Sequence, residues 1–180
     1  MGFITLLVFP IPTFLDYYFF REQPLISIFE LDHIKLLPIG LGLGLGVAYA
    51  WIALLLMQAP VFEKLPNRIE QLVRRMNLSI FDCIFLSICA SVGEELLFRT
   101  GVQYYIGPII TSIIFVAIHG YLNPWNWRMS LYGLIVLPFI LLISFGLSSY
   151  GIWYCIAAHF SYDLVLFLVI SKKNNPIERF

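Results

Sequence analysis

The sequence predicts an all-α fold, a multi-pass transmembrane helical bundle of five to six spans with one amphipathic interfacial helix. Three observations predict it. Hydrophobic residues make up 60% of the 180 and charged residues 12%, about half the charge of a soluble domain. The apolar residues are gathered into long runs, several of them sufficient to cross a bilayer. Turn and charge signals separate the runs, and the length suits one membrane domain over residues 1–180. The formal net charge is zero, so nothing points to a nucleic-acid partner.

Residues 3–20 are apolar but carry Pro10, Pro12 and Asp16, which predicts a weak span or an interfacial segment. No Lys or Arg stands near Met1, so the basic start of a cleaved signal peptide is missing. Residues 21–33 are polar and acidic, with Arg21, Glu22, Glu30 and Asp32. Residues 34–59 form a spanning run in which Gly40, Gly42, Gly44 and Gly46 overlap as two small-xxx-small pairs. That pattern predicts a close helix–helix contact. No Lys-Ser/Thr follows it, so it is not a phosphate loop.

Over 61–77, Pro66-Asn67 breaks the chain, and Ile69, Leu72, Val73 and Met76 then recur at i, i+3, i+4 and i+7. Arg68, Arg74 and Arg75 occupy the other faces, as in a short helix lying on a membrane surface. Ser79-x-x-Asp82 reads as a capping box for the next helix, which runs to about Ile106. Gly107-Pro108 stops it, because proline cannot continue the hydrogen-bond ladder. A second run, Ile109 to His119, is followed by an aromatic turn region with Trp125 and Trp127, residues suited to the interface. Runs 130–147 and 152–171 are joined by Ser148-Ser149-Tyr150-Gly151. If 34–59, 80–106, 108–120, 130–147 and 152–171 each cross, then Lys64, Arg68, Arg74, Arg75, Arg128, Lys172, Lys173 and Arg179 fall on one side, the cytoplasmic one. Both termini share that side if residues 3–20 span. Cys83, Cys89 and Cys155 lie in apolar runs without metal spacing and read as buried thiols.

The chemistry is concentrated in Glu94, Glu95, Arg99, His119, His159 and Asp163, all deep in the last four runs. Ionisable residues at membrane depth mark functional sites by default, since burying each costs about 2.5–3.5 kcal/mol on insertion scales. Counted from the turns at Gly107-Pro108 and Tyr150, the helix rise places Glu94 about 20 Å deep, His119 about 17 Å, His159 about 14 Å and Asp163 about 20 Å. Three helices thus bring acids and histidines to roughly one level. Glu95 and Arg99 stand at i, i+4 in the favourable order and read as a structural ion pair. Glu94 has no local partner and reads as functional. Asp163 stands where it can orient His159, and Phe115 packs beside His119.

Glu94-Glu95-x-x-x-Arg99, Phe115-x-x-x-His119 and His159-x-x-x-Asp163, in this order on successive apolar helices, resemble the motif set of the CPBP family. Its members are the type II CAAX prenyl proteases and the bacterial Abi, or bacteriocin-immunity-like, proteins. The resemblance covers about residues 80–165. It implies an intramembrane glutamic endopeptidase, in which Glu94 and His119 activate a water while His159 and Asp163 stabilise the oxyanion. It also implies a membrane-embedded or membrane-anchored protein or peptide as substrate, CAAX-type prenylated proteins among them; we expect the plasma membrane as location and no cofactor. The third motif often ends in Asn, and here it is Asp163, which cannot donate to an oxyanion while ionised. A zinc-dependent variant would use Glu94, His119, His159 and Asp163 as ligands, although no HExxH helix is present. Two non-enzymatic classes compete: an immunity-like protein that binds a peptide, and a proton-coupled carrier, for which no inverted repeat is visible.

Overall fold

The computed structural model describes residues 2–60 and 76–172, apart from the side chains of His33 and Lys172. All regular structure among the described residues is helical. Helix α1 spans Gly2–Val8 and α2 Ile11–Phe19; two short 3₁₀ turns, Leu25–Phe29 and Leu31–His33, lead to α3, Leu36–Leu56. Helix α4, Ile80–Glu95, passes into a π-helical segment, Leu96–Val102, and then into α5, Gln103–Ile118. Helices α6, Trp127–Tyr150, and α7, Ile152–Lys172, complete the fold. The amphipathic helix expected over 61–77 lies outside the described residues except for its last two positions.

Five stretches are long and apolar enough to cross a membrane: Gly2–Phe19, Leu36–Leu56, Ile80–Ile118, Trp127–Tyr150 and Ile152–Ser171. Large apolar side chains such as Leu36, Phe81 and Phe20 point outward at 80–90% exposure, as suits surfaces solvated by lipid. The third stretch folds back on itself. Gly107 is non-helical at φ 75°, ψ 171°, nearly the conformation of Gly151 (φ 77°, ψ 179°) between α6 and α7. The left-handed φ suits glycine, and each reverses the chain within a single residue. A straight helix would hold Glu94 and His119 about 37 Å apart, whereas their side chains meet at 3.4 Å.

The expected crossing by 108–120 is corrected here. The arm after Pro108 is helical only to Ile118, a rise of about 16 Å and half of a hydrocarbon core about 30 Å thick. Residues 119–126 continue in non-helical form. Such backbone is tolerated at membrane depth only where protein buries it or where it lines a wet cavity. The joint expected at Ser148–Gly151 is shorter than its sequence suggested: Ser148, Ser149 and Tyr150 remain in α6, and Gly151 alone makes the turn.

The N-terminal stretch runs parallel to α4. Gly2 lies beside Phe85, Leu86 and Cys89, and a Cβ on Gly93 would overlap the Thr5 carbonyl. A π-helix shifts the backbone pairing and frees carbonyls, and the stretch supplies donors to them. Thr13 Oγ1 donates to the Leu96 carbonyl at 3.0 Å, and Arg21 Nη2 to that of Thr100 at 2.9 Å. Arg21 also pairs with Asp16 at 2.6 Å, and Asp16 accepts from the Tyr105 hydroxyl. Beyond α2, Glu30 Oε2 accepts from the first amide of α7, Ile152, at 3.1 Å, and Trp153 Nε1 donates to the Phe29 carbonyl at 2.8 Å. The N-terminal segment therefore seats both helices that carry the acids and the second histidine.

Helices α3 and α7 pack in parallel through small residues. A Cβ on Gly42 would strike the Tyr154 carbonyl, and one on Gly46 the Ala158 carbonyl and Ser161 Oγ; Gly40 and Gly44 have nothing within 4 Å. Of the two predicted pairs, then, only Gly42/Gly46 makes the contact, because residues two apart on a helix lie about 200° apart around its axis. Ala50 and Ala53, fully buried, extend the same stripe. We expect Gly46→Ala to cost about 1–3 kcal/mol by overpacking and Gly44→Ala to be neutral. Thermal unfolding of the two variants in detergent checks this, and equal midpoints would refute the assigned contact face.

Candidate active site

The capping box that opens α4 is formed: Ser79 Oγ accepts from the Asp82 amide at 3.2 Å, and Asp82 Oδ2 accepts from the Ser79 amide at 2.9 Å. This fixes the start of a helix whose last two residues are Glu94 and Glu95. Successive residues point about 100° apart, so the two carboxylates face different neighbours.

Glu95 faces inward and has no exposure. Its Oε2 accepts from Arg99 Nε at 2.7 Å and its Oε1 from His159 Nδ1 at 2.8 Å. Arg99, also buried, uses Nη1 to reach Ser144 Oγ at 2.7 Å and Gln103 Oε1 at 3.4 Å. Ser144 Oγ shares a hydrogen bond with Ser112 Oγ at 2.7 Å, and Gln103 Nε2 donates to the Ser144 carbonyl at 2.8 Å. One carboxylate thereby ties together α4, the π-helical segment, α5, α6 and α7. The sequence spacing indicated the Glu95–Arg99 contact but gave no sign of the link to His159, 64 positions away. Ser112 and Ser144 were visible only as hydroxyls in otherwise apolar runs.

Glu94 faces the end of α5. His119 is the residue that ends this helix, and its Nδ1 lies 2.7 Å from the Phe115 carbonyl. A carbonyl can only accept, so Nδ1 carries the proton, and Nε2 is the nitrogen that faces Glu94 Oε2 at 3.4 Å. Phe115 positions both imidazoles, with its ring 4.5 Å from that of His119 and 5.9 Å from that of His159. On α7, His159 Nε2 lies 3.4 Å from Asp163 Oδ2. The structure thus brings together Glu94, Glu95, Arg99, Phe115, His119, His159 and Asp163.

The arrangement has a dry side and an open side. The Glu95 and Arg99 side chains are 0% exposed, whereas His119 is 32%, Asp163 20% and Glu94 12% exposed. The open side continues into Tyr121, whose ring lies 6.0 Å from His119 and 4.9 Å from Tyr132. Tyr162 carries the cluster on to Phe139 at 4.5 Å. The sequence marked residues 120–127 as aromatic without indicating that Tyr121 would turn back toward the site. As to zinc, the four side chains named as ligands pair off in twos. Among the described residues, no three His, Cys, Asp or Glu side chains converge as a metal would require.

We expect Arg99→Ala to lower the yield of folded protein, because it strands a buried carboxylate; losses of about 3–5 kcal/mol are usual for such changes. Arg99→Lys should rescue little, since one ammonium cannot reproduce the directed Nε and Nη1 bonds. Monodisperse yield and unfolding midpoint check this, and wild-type values for both variants would contradict the assignment.

A family model described as type II CAAX prenyl endopeptidase Rce1-like matches residues 76–165, the stretch from the α4 cap through Asp163. Searches of curated proteins and of solved structures returned no match. The five apolar stretches and the family match together describe an integral membrane protein. The chain belongs to the Rce1-like family of type II CAAX prenyl endopeptidases.

Proposed function

We propose that this protein is an intramembrane endopeptidase of the glutamate type. It hydrolyses a peptide bond of a membrane-anchored protein or peptide of the CAAX prenylated kind, without a metal. The observation that carries the reading is the Glu94–His119 pair. Glu94 Oε2 is buried and accepts no hydrogen bond among the described residues. It faces an imidazole nitrogen at 3.4 Å, longer than a direct N–H···O bond of about 2.7–3.2 Å. In the neutral imidazole, with its one proton committed to Phe115, two acceptors confront each other and call for a shared donor. A water provides two O–H groups, one for each.

In the proposed reaction the water oxygen bonds to the scissile carbonyl carbon while Glu94 takes its proton as general base. The carbonyl π electrons move onto oxygen. When this intermediate collapses, the C–N bond breaks and the proton passes to the leaving nitrogen, giving an amine and a carboxylic acid. His119 holds the water in line, and His159, steadied by Glu95, faces the side where the oxyanion forms. We place the Leu56, Ser79, Trp127 and Lys172 ends on the cytoplasmic face of the plasma membrane, following the basic residues. One feature favours a second reading, a non-catalytic peptide-binding protein: Asp163 puts a carboxylate where a donor is needed.

The test uses an internally quenched, S-farnesylated peptide ending in Cys-aliphatic-aliphatic-Met and purified protein in detergent. Glu94→Gln and His119→Ala should each lower the cleavage rate by about 10²–10⁴-fold with unfolding midpoints unchanged. The double variant should be scarcely slower than either, since residues acting as a unit are not additive. Phenanthroline should leave the rate intact. Cleavage by Glu94→Gln at most of the wild-type rate would reject the mechanism, and binding without cleavage by the wild type would support the second reading.

A further inference from the structure

We propose that Tyr121 is a further catalytic residue of this site, and that its hydroxyl donates to the tetrahedral oxyanion in place of Asp163. The inference rests on the endopeptidase reading. A developing oxyanion needs preorganised donors, and most donors here are already engaged. Arg99 Nε and Nη1 are taken by Glu95 and Ser144, His119 Nδ1 by Phe115, and His159 Nδ1 by Glu95; Arg99 Nη2 has no partner among the described residues but belongs to a side chain with no exposure, on the dry side of the site. His159 Nε2 faces a carboxylate, Asp163, at 3.4 Å. Three acids meet two histidines, so the site is rich in acceptors and short of donors. A phenol remedies this, because at an ordinary pKa near 10 it is a proton donor throughout the neutral range.

Tyr121 is held beside His119. Helix α5 ends in a Schellman arrangement: Gly120, at φ 75°, donates from its amide to the Ala117 carbonyl at 2.9 Å, and the Tyr121 amide donates to the Val116 carbonyl at 3.3 Å. The chain therefore doubles back under His119, and the two rings lie 14° from parallel with centroids 6.0 Å apart. The Tyr121 carbonyl fits against Gly133 of α6, where a Cβ would approach it to 2.8 Å, and Tyr132 meets the ring edge-on at 4.9 Å. The hydroxyl forms no hydrogen bond among the described residues, so its proton is free for a substrate. The position of the phenol also distinguishes it from its neighbours. Tyr121, Tyr132 and Tyr162 all interact electrostatically with Asp163, and of the three Tyr121 is the one that also interacts with Glu94. Tyr162 is instead stacked into the core on Phe139 at 4.5 Å. The non-helical segment after α5 thus acquires a purpose: it carries a donor back to the level of the acids.

The experiment uses the full-length protein with the same farnesylated peptide and a phosphonate analogue of that peptide as a tetrahedral mimic. Tyr121→Phe keeps the ring and its stack on His119 and removes only the hydroxyl. It should lower kcat by about 10²-fold with little change in KM, the loss usual for one oxyanion donor. It should weaken the phosphonate by a similar factor while leaving affinity for the uncleaved peptide unchanged. In an Asp163→Asn background, where an amide can donate instead, the same substitution should cost less than about tenfold. An equal loss in both backgrounds, or wild-type kcat for Tyr121→Phe while Glu94→Gln is inactive, would overturn the role of Tyr121 and leave the endopeptidase reading standing. Absence of cleavage by the wild type would overturn both.

Discussion

The fold depends on one buried carboxylate. Glu95 has no exposure and accepts from Arg99 and His159 at once. A charge in a low-dielectric interior survives only when its partners are held in good geometry, and removing one partner costs several kcal/mol. That requirement propagates outward. Arg99 needs Ser144 and Gln103, Ser144 needs Ser112, and His159 must stay on the face of α7 that meets α4. Four helices are thereby registered to one another at one depth. In a membrane this matters more than in water, because lipid supplies no hydrophobic drive to bring apolar helices together.

Around this pair the chain departs from regular helix wherever the site demands it. The π-helical segment starts at the residue after Glu95, and its carbonyls are met by Thr13 and Arg21. Gly107 returns the chain so that His119 arrives beside Glu94. Helix α5 then stops halfway, and the turn after it sets Tyr121 beside His119. The π-helical segment, which would be costly against lipid, is met by polar partners from the N-terminal stretch. The dry Glu95–Arg99 layer and the partly exposed Glu94–His119 layer lie side by side. The first fixes position, and the second leaves room for substrate and water.

Much of this was legible in the sequence, for physical reasons. Charges in apolar runs cannot be incidental, so Glu94, Glu95, Arg99, His119, His159 and Asp163 stood out. The constant helix rise put them at one level. Ser79-x-x-Asp82 and Gly107-Pro108 act through local backbone chemistry and could be read directly. What stayed hidden depends on contacts distant in sequence: the Glu95–His159 bond, the packing of Thr5 on α4 and of Thr13 on the π-helical segment, and the return of Tyr121. The glycine run was legible as a packing surface but not as to its face, since alternate glycines fall on opposite sides of a helix. The end of α5 was legible, since the apolar run stops at His119 and Asn123, Pro124 and Asn126 follow; the return of Tyr121 toward the site was not.

The central claim is that a water held by Glu94 and His119, rather than Glu94 itself, attacks the carbonyl. A single turnover in H₂¹⁸O with enzyme in excess over the farnesylated peptide tests it most directly, by mass spectrometry of the product and of the peptide containing Glu94. The account predicts one ¹⁸O in the newly formed product carboxyl and none in Glu94. An unlabelled product carboxyl, with ¹⁸O appearing in the Glu94 side chain, would mean that Glu94 is the nucleophile and would contradict it.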